Sequence, residues 1–340
     1  MKKRMFLLLA LTLLPLACLL LFTNSCATAH KTDTTTTTSI ASTTTVSGTT
    51  TTTCAQTSYT LVASWGAYGT GDGQFRAPKS ITIDSGNKLY VLDDSNYRVT
   101  KFDTSGTYLL KWGSSGTTEG KFNYPISGVA VNASGEVFVT DGYNYRVQYF
   151  DGASGSYLGQ WGSQGAGDGQ VKTPMGVAVG PGGYIYVADT GNSRVQKFSP
   201  LGVFVSKFTT TDPTLGNIGP HDIVVDSTGN IYVTQGYGSI IKYTNSGTYV
   251  TSFSGLTAGN SQGIGIDSLD NIYATNSYMY YRVDKFDVNG NLLCEIGTKA
   301  ASPIYGDFDG FLYDVTVDSS GNVYVIDNGS STPTIKKFAP

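Results

Sequence analysis

Histidine is nearly missing from this chain. There are two in 340 residues, and with His30 close to the amino terminus only His221 stands in the rest. That scarcity speaks against a histidine-rich zinc centre and gives a Ser-His-Asp arrangement little support. No Gly-x-Ser-x-Gly elbow marks a nucleophile. Charge is also thin, at 14% of residues. From Thr34 onward 18 basic side chains face 24 acidic ones, a net charge of −6, which makes nucleic acid an unsuitable partner. No long stretch repeats its apolar residues at the helical period, so an α-rich fold is excluded as well.

What is abundant points to turns and strands. The chain holds 42 Gly and 23 Tyr, a profile that suits an all-β protein. The segment from Gly176 to Gly202 reads as three short strands divided by two tight turns. It also recurs. Asp93, Asp141 and Asp189 are spaced 48 residues apart, as are Arg98, Arg146 and Arg194, and fixed-period similarity signals an array of one supersecondary unit.

The amino-terminal part is organised differently. Residues 1–29 read as an export signal, with basic Lys2-Lys3-Arg4 before an apolar run from Met5 to Phe22. Cys26 is the candidate for lipidation, although Thr23 stands where lipoprotein signals usually carry an aliphatic residue. Ala27-Thr28-Ala29 is the alternative cleavage site, and an uncleaved anchor is the third outcome. Residues 30–58 form a low-complexity linker, with Thr at 14 of the 22 positions from Thr32 to Thr53. The expected location is extracytoplasmic, as a cell-surface lipoprotein or a secreted protein. Contact with a membrane would run only through that terminus.

Residues 59–340 carry six copies of the unit, beginning at Ile81, Val129, Val177, Ile223, Ile264 and Val315. The first hairpin of each copy needs a residue at positive φ, a place taken by Asn87, Gly135, Gly183, Gly229, Asp270 and Gly321. The sixth copy stops at Pro340 without a fourth strand, while Tyr59–Gly66 precedes the first copy and matches what is absent. Pairing the two removes both open sheet edges. The expected fold is therefore a six-bladed β-propeller of four-stranded blades, closed by the strand at residues 59–66.

The pattern Pro-x-Gly-Val-Ala-Val, a hairpin, then Tyr-Val-x-Asp-x-x-Asn-x-Arg-Val-x-x-Phe, Trp-Gly and Gly-x-Gly-Asp-Gly-Gln resembles the NHL repeat. The resemblance implies the same six-bladed fold and leaves activity open. It is close in copies one to three (Asp93/Asn96/Arg98, Asp141/Asn144/Arg146, Asp189/Asn192/Arg194). It weakens in copy four (Gln235, Ser239), copy five (Asn276, Arg282) and copy six (Asp327, Thr334). Because the Asp and Arg recur, they read as scaffold, with Asp capping the turn after the second strand and Arg bracing that loop or a neighbouring blade. Gly71-Asp72-Gly73-Gln74 and Gly167-Asp168-Gly169-Gln170 read as turns, since the further ligands of a calcium loop are absent.

Function should then sit where the copies differ. His221 enters an innermost strand, a placement that resembles the zinc positions of peptidyl-hydroxyglycine lyases. The corresponding positions are Lys79, Ser127, Met175, His221, Gln262 and Tyr313, and a single histidine among six does not make that site. Lys79, His221, Asp222 and Asp314 remain candidates at the channel mouth. Asp222 and Asp314 would there hold calcium through oxygen, or simply pair with inner-strand N–H groups or with Lys79. No metal is assigned. Cys54 and Cys294 are candidates for a disulfide latching the ring.

The loops joining fourth to first and second to third strands share one face, which should carry Tyr97, Tyr124, Tyr143, Tyr145, Tyr237, Tyr278, Tyr280, Tyr281 and Tyr305. Tyrosine couples apolar area to a polar tip, which suits a protein or polysaccharide partner, although inter-blade packing would use the same residues. A monomeric binding or scaffold module with no catalytic set is the leading expectation. A metal-dependent hydrolase, lactonase or lyase acting at the channel is the alternative.

Overall fold

The computed structural model describes residues 58–124, 128–213, 216–217, 219–235, 238–253, 263–277, 281–297, 307–329 and 332–340. The export signal, Cys26, Cys54, Tyr237, Tyr278, Tyr280, Tyr305, Ser127 and Gln262 lie outside them.

Six four-stranded antiparallel sheets make a ring of blades, a β-propeller. Blade 1 is built from Pro78–Ile83, Lys88–Asp93, Arg98–Asp103 and Tyr108–Trp112, in that order from the axis outward. Blades 2 to 5 repeat the order, with inner strands at Val129–Val131, Val177–Val179, Pro220–Val225 and Ile264–Ile266. Blade 6 has Gly310–Val317 innermost, then Val323–Gly329 and Pro333–Ala339, and is completed by Thr60–Trp65 from the start of the domain. Thr60 faces Ala339 and Trp65 faces Ile335, so the last strand of the chain is not left as an edge.

Local sequence accounts for the strand breaks. The first-hairpin residue sits at positive φ in every blade, including non-glycine Asn87 at 57° and Asp270 at 63°. The register of one hairpin, Val177 opposite Val187 and Val179 opposite Ile185, recurs around the ring and puts the same apolar positions on the same side of each sheet. Each blade then buries those positions against the next. One cluster joins Ala178, Tyr186 and Val195 of blade 3 to Ile223, Val233 and Ile241 of blade 4. The other five seams hold equivalent clusters. Gly106 lies flat against the indole of Trp65 and Gly202 against that of Trp161, where an added Cβ would come within 2.6 Å. The core of this protein is thus six seams around an axis rather than one centre.

Candidate functional site

The repeated Asp and Arg hold loops. The Asp93, Asp141 and Asp189 side chains make no capping bond to the 3₁₀ turn that follows them, contrary to the sequence expectation. Each turns back toward the loop entering its own blade. Asp93 accepts from the N–H of Arg76 and Ala77, Asp141 from Asn123, and Asp189 from Lys172 at 2.7 Å. The physical reason is burial: a fully buried carboxylate needs several donors, and the incoming loop brings them. Asn96, Asn144 and Asn192 supply a further donor from the turn itself. Arg194 then closes the clamp, with its Nε 2.6 Å from Asp189 and its other nitrogens donating to the carbonyls of Ala166, Gly167 and Gln170.

Later blades keep the charge pair by moving it. In blade 5 the acid is Asp284, bonded to Arg282 at 2.6 Å and to Asn276 at 3.0 Å. In blade 6 the cation is Lys336, 2.8 Å from Asp327 and two residues beyond the Thr334 that aligns with the repeated Arg. Position-by-position matching missed both exchanges, because in each blade the replacement charge stands two residues further along the third strand, Asp284 after Arg282 and Lys336 after Thr334. The two Gly-Asp-Gly-Gln segments are turns. Gly71 N–H donates to Gln74 Oε1 at 2.8 Å, Asp72 pairs with Lys111 at 2.8 Å, and Asp168 pairs with Lys207.

At the axis the six inner strands line a channel of about 230 Å³, walled by Val and Ile and entered by Ser80, Asp222 and Asp314. Equivalent positions of the six blades hold Ser80, Gly128, Gly176, Asp222, Gly263 and Asp314, of which Ser80, Asp222 and Asp314 line the channel. The three blades with a side chain shift register at that point, between Pro78 and Ser80, Pro220 and Ile223, and Leu312 and Val315. Such a bulge re-aims a side chain, and each of these reaches the next blade. Asp314 accepts from Ile81 N–H at 2.8 Å, Ser80 from Val129 N–H at 3.2 Å and Asp222 from Ile264 N–H at 3.0 Å. The second oxygen of each Asp takes its own following amide, Ile223 at 2.9 Å and Val315 at 2.7 Å.

Gly263 stands between the two acids and leaves them room, since a Cβ there would lie 2.6 Å from Asp314 Oδ1. The two carboxyls are buried close enough to act on each other electrostatically, which disfavours charging both at once. Burial pushes the Asp222 carboxyl up to about 7. Burial, and then the neighbouring Asp222, hold Asp314 well above the ordinary carboxylate range. Lys79 does not answer this charge. Its ammonium sits 3.6 Å from the ring centre of Tyr313, its counterpart in blade 6. His221 is half-buried, and burial lowers its pKa.

Calcium would want six to eight oxygens, of which this pair supplies four. Each of the four carboxylate oxygens accepts a strand amide. Among the described residues no three His, Cys, Asp or Glu side chains are grouped to hold a metal ion. Cys294 is half-buried on the outer strand of blade 5, opposite Lys285, and its expected partner Cys54 is outside the described residues.

The loop face gathers the described tyrosines. Tyr97, Tyr124 and Tyr143 make a chain of rings, with centroids 6.3 Å and 5.3 Å apart, across the seam of blades 1 and 2. Tyr281 stands 6.3 Å from Phe311 between blades 5 and 6. Tyr124 and Tyr143 are each 52% exposed, whereas Tyr97 and Tyr281 also pack against the seam cores. Four of these residues have left-handed backbones: Tyr97 at φ 54°, Tyr124 at 46°, Tyr145 at 54° and Tyr281 at 46°. Eight non-glycine residues among those described adopt positive φ, and half are tyrosine, a bulky side chain that this region disfavours. Sequence reading found the tyrosines but had no signal for their backbone.

Comparison with known proteins agrees with this architecture. Residues 122–150 and 172–198, which cover the first three strands of blades 2 and 3 with their entering loops, match the NHL repeat. No curated protein matches the chain. Among solved structures it is similar to a protein of unknown function from Bacteroides thetaiotaomicron VPI-5482, with a TM-score of 0.60, 18% identity and coverage of 83% of this chain and 75% of that one. It is also similar to a catalytically inactive virginiamycin B lyase from Staphylococcus aureus bound to quinupristin (TM-score 0.53, 13% identity, 78% and 95% covered). A third likeness is to U3-55K (TM-score 0.56, 10% identity, 76% and 95% covered). At these identities the likeness concerns the fold alone. The chain is a six-bladed β-propeller in which residues 122–150 and 172–198 match the NHL repeat.

Proposed function

We propose that this propeller is an exported binding module without a catalytic role, tethered through its Thr-rich segment, which takes a protein or polysaccharide partner on its tyrosine-bearing loop face. The observation that carries this reading is the backbone of Tyr97, Tyr124, Tyr145 and Tyr281. Glycine takes most of the other positive-φ positions, 22 among the described residues, beside Asn87, Thr173, Ser193 and Asp270. A tyrosine kept where glycine is conformationally easier implies a use for the side chain, and exposure of Tyr124 and Tyr143 directs that use outward. The channel acids favour the same conclusion from the other side, because their oxygens are engaged in joining blades.

The test is binding of the purified propeller to envelope protein and polysaccharide fractions, compared with a Tyr124→Ala/Tyr143→Ala variant. Binding should fall while the melting temperature stays within about 2 °C of the parent, since exposed positions contribute little stability. Equal binding by the two proteins would sink the assignment of this face.

A further inference from the structure

We infer that the ligand of the loop face is a neutral polysaccharide, held by stacking of sugar rings on the Tyr97–Tyr124–Tyr143 chain. The inference rests on the binding role proposed above and deepens it. Its first ground is how exposed apolar residues are sorted over the molecule. Among the described residues of the loop face they are all aromatic: Tyr68, Tyr124, Tyr143 and Phe311, between 50% and 63% exposed. The described exposed aliphatics lie elsewhere, with Leu109, Leu158, Val205 and Val250 on outer strands and Leu201 and Leu269 on the hairpins of the opposite face. A protein interface of ordinary size has a packed core that mixes aliphatic and aromatic groups. An aromatic island set among small polar residues offers instead flat π faces, and the C–H face of a pyranose ring stacks on such a face while its hydroxyls reach the surrounding polar groups.

Those surroundings have the right chemistry. The loop from Ser114 to Thr118 that leads to Tyr124 is Ser-Ser-Gly-Thr-Thr, and Asn123 and Asn144 flank the rings. Asn144 is fixed by its bonds to Gly116 O and Asp141, which makes the rim rigid. The second ground is charge. Arg146 and Arg194 are buried in pairs with Asp141 and Asp189, Arg98 and Asp93 are buried as well, and Asp72 and Asp168 are each matched by a lysine. The other exposed charges of these loops come in both signs, Arg76, Lys121 and Lys172 against Glu119 and Asp309. Among the described residues these charges make no single-sign field that would select an acidic or a basic polymer.

A glycan array of neutral, acidic and amino-sugar oligosaccharides, followed by calorimetric titration of the strongest neutral hexasaccharide, tests this. Neutral glycans should bind, with an affinity unchanged between low and high salt. Tyr124→Ala should weaken the titration by about tenfold, and Tyr124→Phe, which keeps the ring, by less than about threefold. Binding confined to acidic glycans with steep salt dependence would overturn the inference, as would no glycan binding at all. If glycans fail while a protein partner binds in a Tyr124-dependent way, the binding face stands and its ligand class is wrong. If no ligand of either class depends on Tyr124 and Tyr143, the binding role itself fails.

Discussion

The carboxyl pair at the axis predicts that this propeller weakens as pH rises through neutrality. Asp222 moves from an ordinary 3.8 to about 7 on folding, because burial disfavours its charge. The folded protein therefore keeps a proton that the unfolded chain has already released. Stability contributed by this group is full below the unfolded value, is lost between about pH 4 and 7, and stays lost above. A shift of about three units corresponds to roughly 4 kcal/mol, or ~7 °C in melting temperature for a domain of this size. Asp314, raised by burial and by Asp222, extends the loss to higher pH. His221 acts in the opposite sense, since a lowered pKa in the folded state removes stability as pH falls below its ordinary 6.5. The measurement is thus a difference: urea unfolding from pH 5 to 9 for the parent and for Asp222→Asn and Asp314→Asn. An Asn variant loses some hydrogen bonding at every pH, so the offset between curves carries no weight and the slope does. The parent should lose stability steadily with pH, and each variant should be flatter. Parallel curves, or a parent that is flat between pH 5 and 8, would refute the reasoning that these buried carboxyls hold a proton in the folded protein.

Two further outcomes follow from the scaffold. Arg194→Ala leaves Asp189 buried without its cation and takes one donor from each of three loop carbonyls, and should lower unfolding free energy by about 3 kcal/mol in urea titration. Gln235→Ala, at the equivalent place in blade 4 where the amide makes no hydrogen bond, should cost clearly less. Removal of residues 1–65 leaves Pro333–Ala339 as an uncovered edge. It should convert the protein to higher-order species on size-exclusion chromatography, while a retained monomer would argue against strand closure.

The repeat made the fold legible because its signals are local. Positive-φ positions such as Asn87 and Gly135, and the match of Tyr59–Gly66 to the absent outer strand, are properties of short segments, and the structure places them as expected. What escaped was convergence across blades. The Asp93 carboxylate turns toward a loop some 17 residues earlier, and Lys336 replaces an arginine from a different position on its strand. Ser80, Asp222 and Asp314 touch blades far away in sequence, as in the Ile81–Asp314 bond with 233 residues between its ends. A second network was equally hidden: Tyr90, Tyr232, Tyr273 and Tyr324 each donate to the Asp of their own first hairpin, as Tyr90 does to Asp84 at 2.9 Å. The candidate site divides the same way. Composition revealed the tyrosines, but only the backbone angles separate those held out on the loop face from the many that fill seams.

The loop face can be judged by a single comparison. Binding of the strongest envelope ligand is measured for the parent, for Tyr124→Ala/Tyr143→Ala, and for Tyr249→Ala on an outer strand, where the ring is 38% exposed. A binding propeller working through its tyrosine face loses affinity by at least about tenfold in the double variant and keeps it in the outer-strand one. Equal affinity in all three, or loss only with Tyr249→Ala, would contradict it.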